Sequence, residues 1–124
     1  MKKIKWLLAP EEQDFQGAQS FLDLIAPPAT VEKIITKFST TDLIDVKAKD
    51  VIRAAGLNLL SADNFHVARD LKKIAAKTAL SPILLVRGSG ASGVPLIIAD
   101  GYHRACAVYF LNEDADIKAR IVEW

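Results

Sequence analysis

The segment from Ser81 to Leu111 constrains the fold most. Two aliphatic runs of near-equal length, SPILLVRG and VPLIIAD, are separated by SGASG, and the second leads straight into GYHRACAVYFL. Runs this apolar do not alternate between a wet and a dry face. They predict buried strands joined as a hairpin with a flexible tip. The helix that follows is apolar almost all round beyond its first turn, so it should lie against the sheet.

The rest of the chain reads as smaller packing units. KIKWLL (3–8) alternates as a short strand that Pro10 and the acids after it would stop. Two brief helices are predicted next, one over about 17–25 before Pro27 and Pro28, the other starting at Thr30 as N-cap with Val31, Ile34, Ile35 and Phe38 on one face. LIDVKA (43–48) alternates as a strand. KDVIRAAG then switches to helical spacing, with Gly56 as its stop. FHVARDLKKIAAK (65–77) is the best-patterned helix, with Asp63 or Asn64 as N-cap and Val67, Leu71, Ile74 and Ala75 toward the core. ADIKARIVEW closes the chain as a strand.

At 124 residues this is one α+β domain, long enough to bury about two thirds of its unfolded surface. Sixteen basic against fifteen acidic side chains give a net charge of +1, too little for a broad field that grips nucleic acid. The lone Cys106 forms no internal disulfide. The start lacks the pattern of a signal peptide, and no stretch approaches the ~20 apolar residues of a membrane span. A cytoplasmic protein with no membrane partner is expected; its oligomeric state stays open.

Gly88, Gly90 and Gly93 spell a dinucleotide fingerprint, but that fingerprint needs a helix N-terminus after it, and Pro95 with a β-rich run follows instead. A hairpin tip is the better reading. ADGYHR (99–104) has the missing context: a strand enters, Gly101 permits a tight turn, and a helix begins. Backbone N–H groups at a helix start lack partners and favour an anion. His103 and Arg104 add side-chain donors, and the planar guanidinium fork suits phosphate. The bland alternative has Asp100 capping the helix while Arg104 pairs with a surface acid.

On the 65–77 helix, His66, Arg69 and Lys73 stand at i, i+3 and i+7, on a face well over 90° from the apolar one, with Asp70 between them. Such a stripe is usually a solvated face. Yet both histidines of the chain now belong to cationic groups near helix starts. Should the two starts converge, His66, Arg69, Lys73, His103 and Arg104 would surround a polyphosphate.

From about residue 43 to 122 the succession of elements, with SADNFHVARDLKKI, LSPILLVRG and PLIIADGYHRACAVYF, resembles the ParB/sulfiredoxin superfamily. The resemblance implies a small mixed sheet packed with helices over 43–122, with residues 1–42 an N-terminal helical extension like that of small uncharacterised bacterial relatives. It also implies that Gly101, Tyr102, His103 and Arg104 hold nucleotide phosphates, with His66, Arg69 and Lys73 at the helical positions that make further contacts. Sulfiredoxins place a reactive cysteine where Tyr102 stands, and Cys106 lies a turn further along in an apolar helix, so sulfinic acid reduction is not expected. A partition ParB would carry a helix-turn-helix domain after this one. Free-serine kinases use a turn close to DGYHR.

The leading expectation is a domain that binds the phosphates of an ATP- or CTP-type nucleoside triphosphate with Mg²⁺, as a phosphotransferase or nucleotide hydrolase. In that scheme Asp100 and His103 are the catalytic candidates, with Asp63 or Asp70 alternative carboxylates. The alternative is a non-catalytic ParB-like module that binds a regulatory nucleotide or, less favoured, nucleic acid. No metal ligand is assigned, and a nuclease ranks last for want of an acid cluster.

Overall fold

The computed structural model describes residues 3–124. In chain order the elements are α1 (Glu12–Leu22), α2 (Pro28–Thr40), β1 (Ile44–Lys47), α3 (Ala48–Ala55), α4 (Phe65–Ala75), β2 (Ile83–Val86), β3 (Ile97–Asp100), α5 (Tyr102–Leu111) and β4 (Asp116–Val122). The strands form one mixed sheet in the order β1-β4-β2-β3. β2 and β3 pair antiparallel as the expected hairpin, β1 pairs antiparallel with β4, and β4 runs parallel to β2. The parallel pair is possible because α5 carries the chain back across the sheet.

All four residues of β2 are buried, because helices cover both faces of the sheet. Ile83 and Leu85 join Ile117 and Ala119 under α3, α4 and α5, whereas Leu84 and Val86 join Ala99 and Val122 under α1 and α2. The continuous aliphatic run is the signature of that double cover. In α5, residues Ala105, Cys106, Ala107 and Val108 are all buried, so Cys106 is a packing residue and burial raises the pKa of its thiol. Gly56 ends α3 in the left-handed region, and the Asn64 side chain accepts hydrogen bonds from the amides of His66 and Val67 to open α4.

Several boundaries differ from the sequence reading. Residues 3–8 form no strand; Trp6 makes a single parallel bridge to Leu80, held by amide bonds from Leu7 to the Leu80 carbonyl and from Leu80 to that of Lys5. The first helix starts at Glu12, not at Gly17. The acids after Pro10 act as its cap: the Glu11 amide donates to Asp14 Oδ2 at 2.8 Å, the N-terminal half of a capping box. The second helix begins at Pro28 with Pro27, not Thr30, at the cap, since proline's fixed φ and missing N–H suit the first turn. α4 stops at Ala75, and Lys77 adopts φ 61° just beyond it.

Gly17 falls inside α1, a position that normally weakens a helix. Here it lets α1 press against β3: a Cβ at residue 17 would lie 2.6 Å from Asp100 Oδ1. Gly17→Ala gains up to about 1 kcal/mol of helix propensity but forces that contact apart, at roughly 1–3 kcal/mol. Net loss of stability in urea denaturation is the expected result; a gain would show that the Asp100 carboxylate is free to swing away.

Candidate functional site

The two cationic groups converge. His66, Arg69 and Lys73 from α4 and Gly101, His103 and Arg104 from the start of α5 line one open cavity of about 360 Å³. The His66 and His103 rings lie 4.6 Å apart, tilted by 43°. The convergence follows from α4 and α5 packing side by side over the same face of the sheet. Tyr102 turns away from the cavity lining, and its hydroxyl donates to the Asn58 carbonyl. Asp63 lies outside the lining as well.

The turn itself is built on Gly101, the N-cap of α5, at φ 108° and ψ 18°. A Cβ there would stand 2.3 Å from Ile83 Cγ2 and 2.9 Å from Arg104 Nη2. Asp100 does not cap the helix. Its Oδ2 instead accepts from Arg104 Nη2 at 2.9 Å, while Arg104 Nη1 donates to Asp14 Oδ1 at 3.1 Å. The guanidinium fork expected to face a phosphate is thus filled by two carboxylates of the protein, and its buried Nε has no partner among the described residues.

Asp14, only 3% exposed, is the residue the sequence reading missed. It arrives on α1, from the extension that lay outside the family likeness. Its position was legible in part: an acid three residues after Glu11, behind Pro10, marks the first turn of a helix. Glu11 also reaches the site, accepting a hydrogen bond from Ser81 Oγ at 2.7 Å.

The electrostatics divide the carboxylates. Burial pushes Asp100 up to about 6, opposed by Arg104 and reinforced by a hydrogen bond with Asp14. Burial acts upward on Asp14 too, but Arg104, the Glu11 amide and its bonds to Asp100 and Ser81 outweigh it and hold its pKa below the ordinary value. The two side chains form a carboxyl pair whose first proton belongs on Asp100.

Asp70, 5% exposed, also lines the cavity. Among the described residues its carboxylate makes no hydrogen bond and no ion pair within 4 Å, and burial raises its pKa against the pull of Arg104, Lys73, Arg69 and His103. Burial, followed by the neighbouring His66, lowers the pKa of His103. The side chains of Arg69 and Lys73 likewise form no hydrogen bond or ion pair among the described residues, so their charge is available to a ligand.

Fold and site together define a mixed α+β domain with a polar cavity of mixed charge at the start of a buried helix. Comparison with protein-family models, with curated proteins and with solved structures found no match. No helix among the described residues is long and apolar enough to cross a membrane.

Proposed function

We propose that the cavity binds the phosphates of a nucleoside triphosphate of ATP or CTP type, and that Arg69, Lys73, His66 and His103 are its principal holders. The observation that carries this reading is the meeting of His66, Arg69 and Lys73 with the Gly101–Arg104 turn in one cavity. It is supported by the ParB/sulfiredoxin likeness of residues 43–122, in which such a turn holds nucleotide phosphates. The first N–H groups of a helix such as α5, which starts at the Gly101 turn, lack intrahelical partners and favour an anion. Arg104 acts through position and charge, as its fork holds α1 to β3 and α5.

Magnesium would accompany such a nucleotide. Among the described residues no three His, Cys, Asp or Glu side chains are grouped as ligands. Mg²⁺ commonly takes only one or two protein carboxylates and completes its shell with phosphate oxygens and water. The donor set fits that habit, since Asp70 offers a buried carboxylate with no hydrogen bond among the described residues. For phosphoryl transfer, His103 and Asp100 are the catalytic candidates; Asp100, raised toward neutrality, is suited to accept a proton.

The test is thermal stabilisation by Mg-ATP and Mg-CTP. Binding should raise the melting temperature in proportion to ligand excess, and Arg69→Ala or Lys73→Ala should weaken affinity by about tenfold, the usual worth of a charge-assisted contact. A melting temperature that no triphosphate moves would remove the reading. Phosphate release against a panel of hydroxyl-bearing acceptors then separates a transferase or hydrolase from a binding module.

A further inference from the structure

A row of aromatic rings leads out of the cavity. From His103 the next ring is His66 at 4.6 Å, and from His66 the next is Phe65 at 5.4 Å, set nearly perpendicular at 86°. Phe65 is 73% exposed, the most exposed aromatic side chain among the described residues. Its place on α4 explains why the core cannot take it. Val67 and Ile74 mark the buried side, and a residue two positions before Val67 is turned about 200° away from it. An isolated exposed apolar side chain needs no explanation. This one adjoins a ring that lines a polar cavity, and most of its surface is left to solvent.

We infer that Phe65 is a stacking shelf for the nucleobase of the ligand whose phosphates occupy the cavity. This rests on the phosphate-binding reading and deepens it by assigning the planar end of the ligand. The order of groups along α4 matches the order of groups along a nucleotide. Phe65 opens α4 just outside the cavity lining, His66 and Arg69 line the cavity within the next turn, and Lys73 lies one turn beyond Arg69. The two ring-to-ring steps fall within the length of a nucleoside triphosphate. A flat aromatic ring offers a face to any base, so the shelf itself favours purine over pyrimidine only by stacking area.

Binding of Mg-ATP and of magnesium tripolyphosphate, measured by calorimetry on the full chain, tests this directly. The wild type should bind ATP more tightly than tripolyphosphate. Phe65→Ala should weaken ATP by about tenfold and leave tripolyphosphate unchanged, with Phe65→Tyr restoring ATP affinity; stacking on an aromatic side chain is commonly worth that much. Because the ring is exposed, Phe65→Ala keeps the fold, which an unchanged melting temperature verifies. If tripolyphosphate binds and Phe65→Ala leaves ATP unaffected, the shelf is wrong while the phosphate site stands. If neither ligand binds, both fall together.

Discussion

Gly101→Ala should cost about 3 kcal/mol or more of stability and abolish any ligand binding at the turn. Two independent effects add. At φ 108° and ψ 18° an L side chain is strained whatever surrounds it. The new methyl would also meet Ile83, whose side chain is completely buried in the central strand and has nowhere to retreat. Relief requires Gly101 to move away from β2, which shifts the first turn of α5 and the positions of His103 and Arg104. Urea denaturation gives the stability loss, and a triphosphate-induced melting shift gives the functional one. A variant as stable as wild type would mean that the turn relaxes into an ordinary backbone conformation, and the cradle described here would be incorrect.

Arg104→Ala should be nearly as damaging, by roughly 3–5 kcal/mol, because removing one member of a buried pair strands the other's charge. Arg104 is itself only 15% exposed and serves two carboxylates at once, Asp14 and Asp100, while its field also opposes the rise that burial imposes on Asp70. Without it all three would rise, and the deficit should depend on pH with a definite sign. In the wild type, Asp100 is raised to about 6 from 3.8, so its contribution to stability is fully present below the lower value and is lost as pH rises through the upper one. Asp14 is lowered, so its contribution is present above 3.8 and is lost as pH falls through its depressed value. In Arg104→Ala both carboxyls follow the Asp100 pattern. The variant should therefore be weakest near pH 8 and recover toward pH 5, which melting temperatures across that range will show. A deficit independent of pH would mean that the guanidinium contributes packing rather than charge.

Both expectations turn on residues whose types were visible in the sequence but whose partners were not. ADGYHR was recognisable as a strand, a glycine turn and a helix start, and the structure keeps that order with Gly101 in the left-handed region. The i, i+3, i+7 stripe of His66, Arg69 and Lys73 was equally plain. Arg104 was the misleading case. A cation at a helix start invites a phosphate as partner, yet here Asp100, four residues before it, and Asp14, ninety residues before it, take its fork. The i, i+4 partner was within reach of sequence reasoning; the distant one was not, because nothing local says which surface of the sheet an N-terminal helix will cover. Gly17 carried the missing hint, as a glycine in a helix interior often marks a close approach.

Local chemistry settled what most of the segments are, residues 3–8 excepted. The alternation of LIDVKA, the unbroken aliphatic hairpin strands, Gly56 after α3 and Asn64 before α4 all express short-range preferences that tertiary contacts reinforce. Packing decided what meets what. That α1 lies on β3 and delivers Asp14, that α4 and α5 sit side by side so two histidines touch, and that Asp70 is buried with no hydrogen bond among the described residues all depend on how two helical layers close over one sheet. Those choices come from shape and area summed over dozens of side chains, and a cation's partner follows from that sum rather than from its neighbours in the chain.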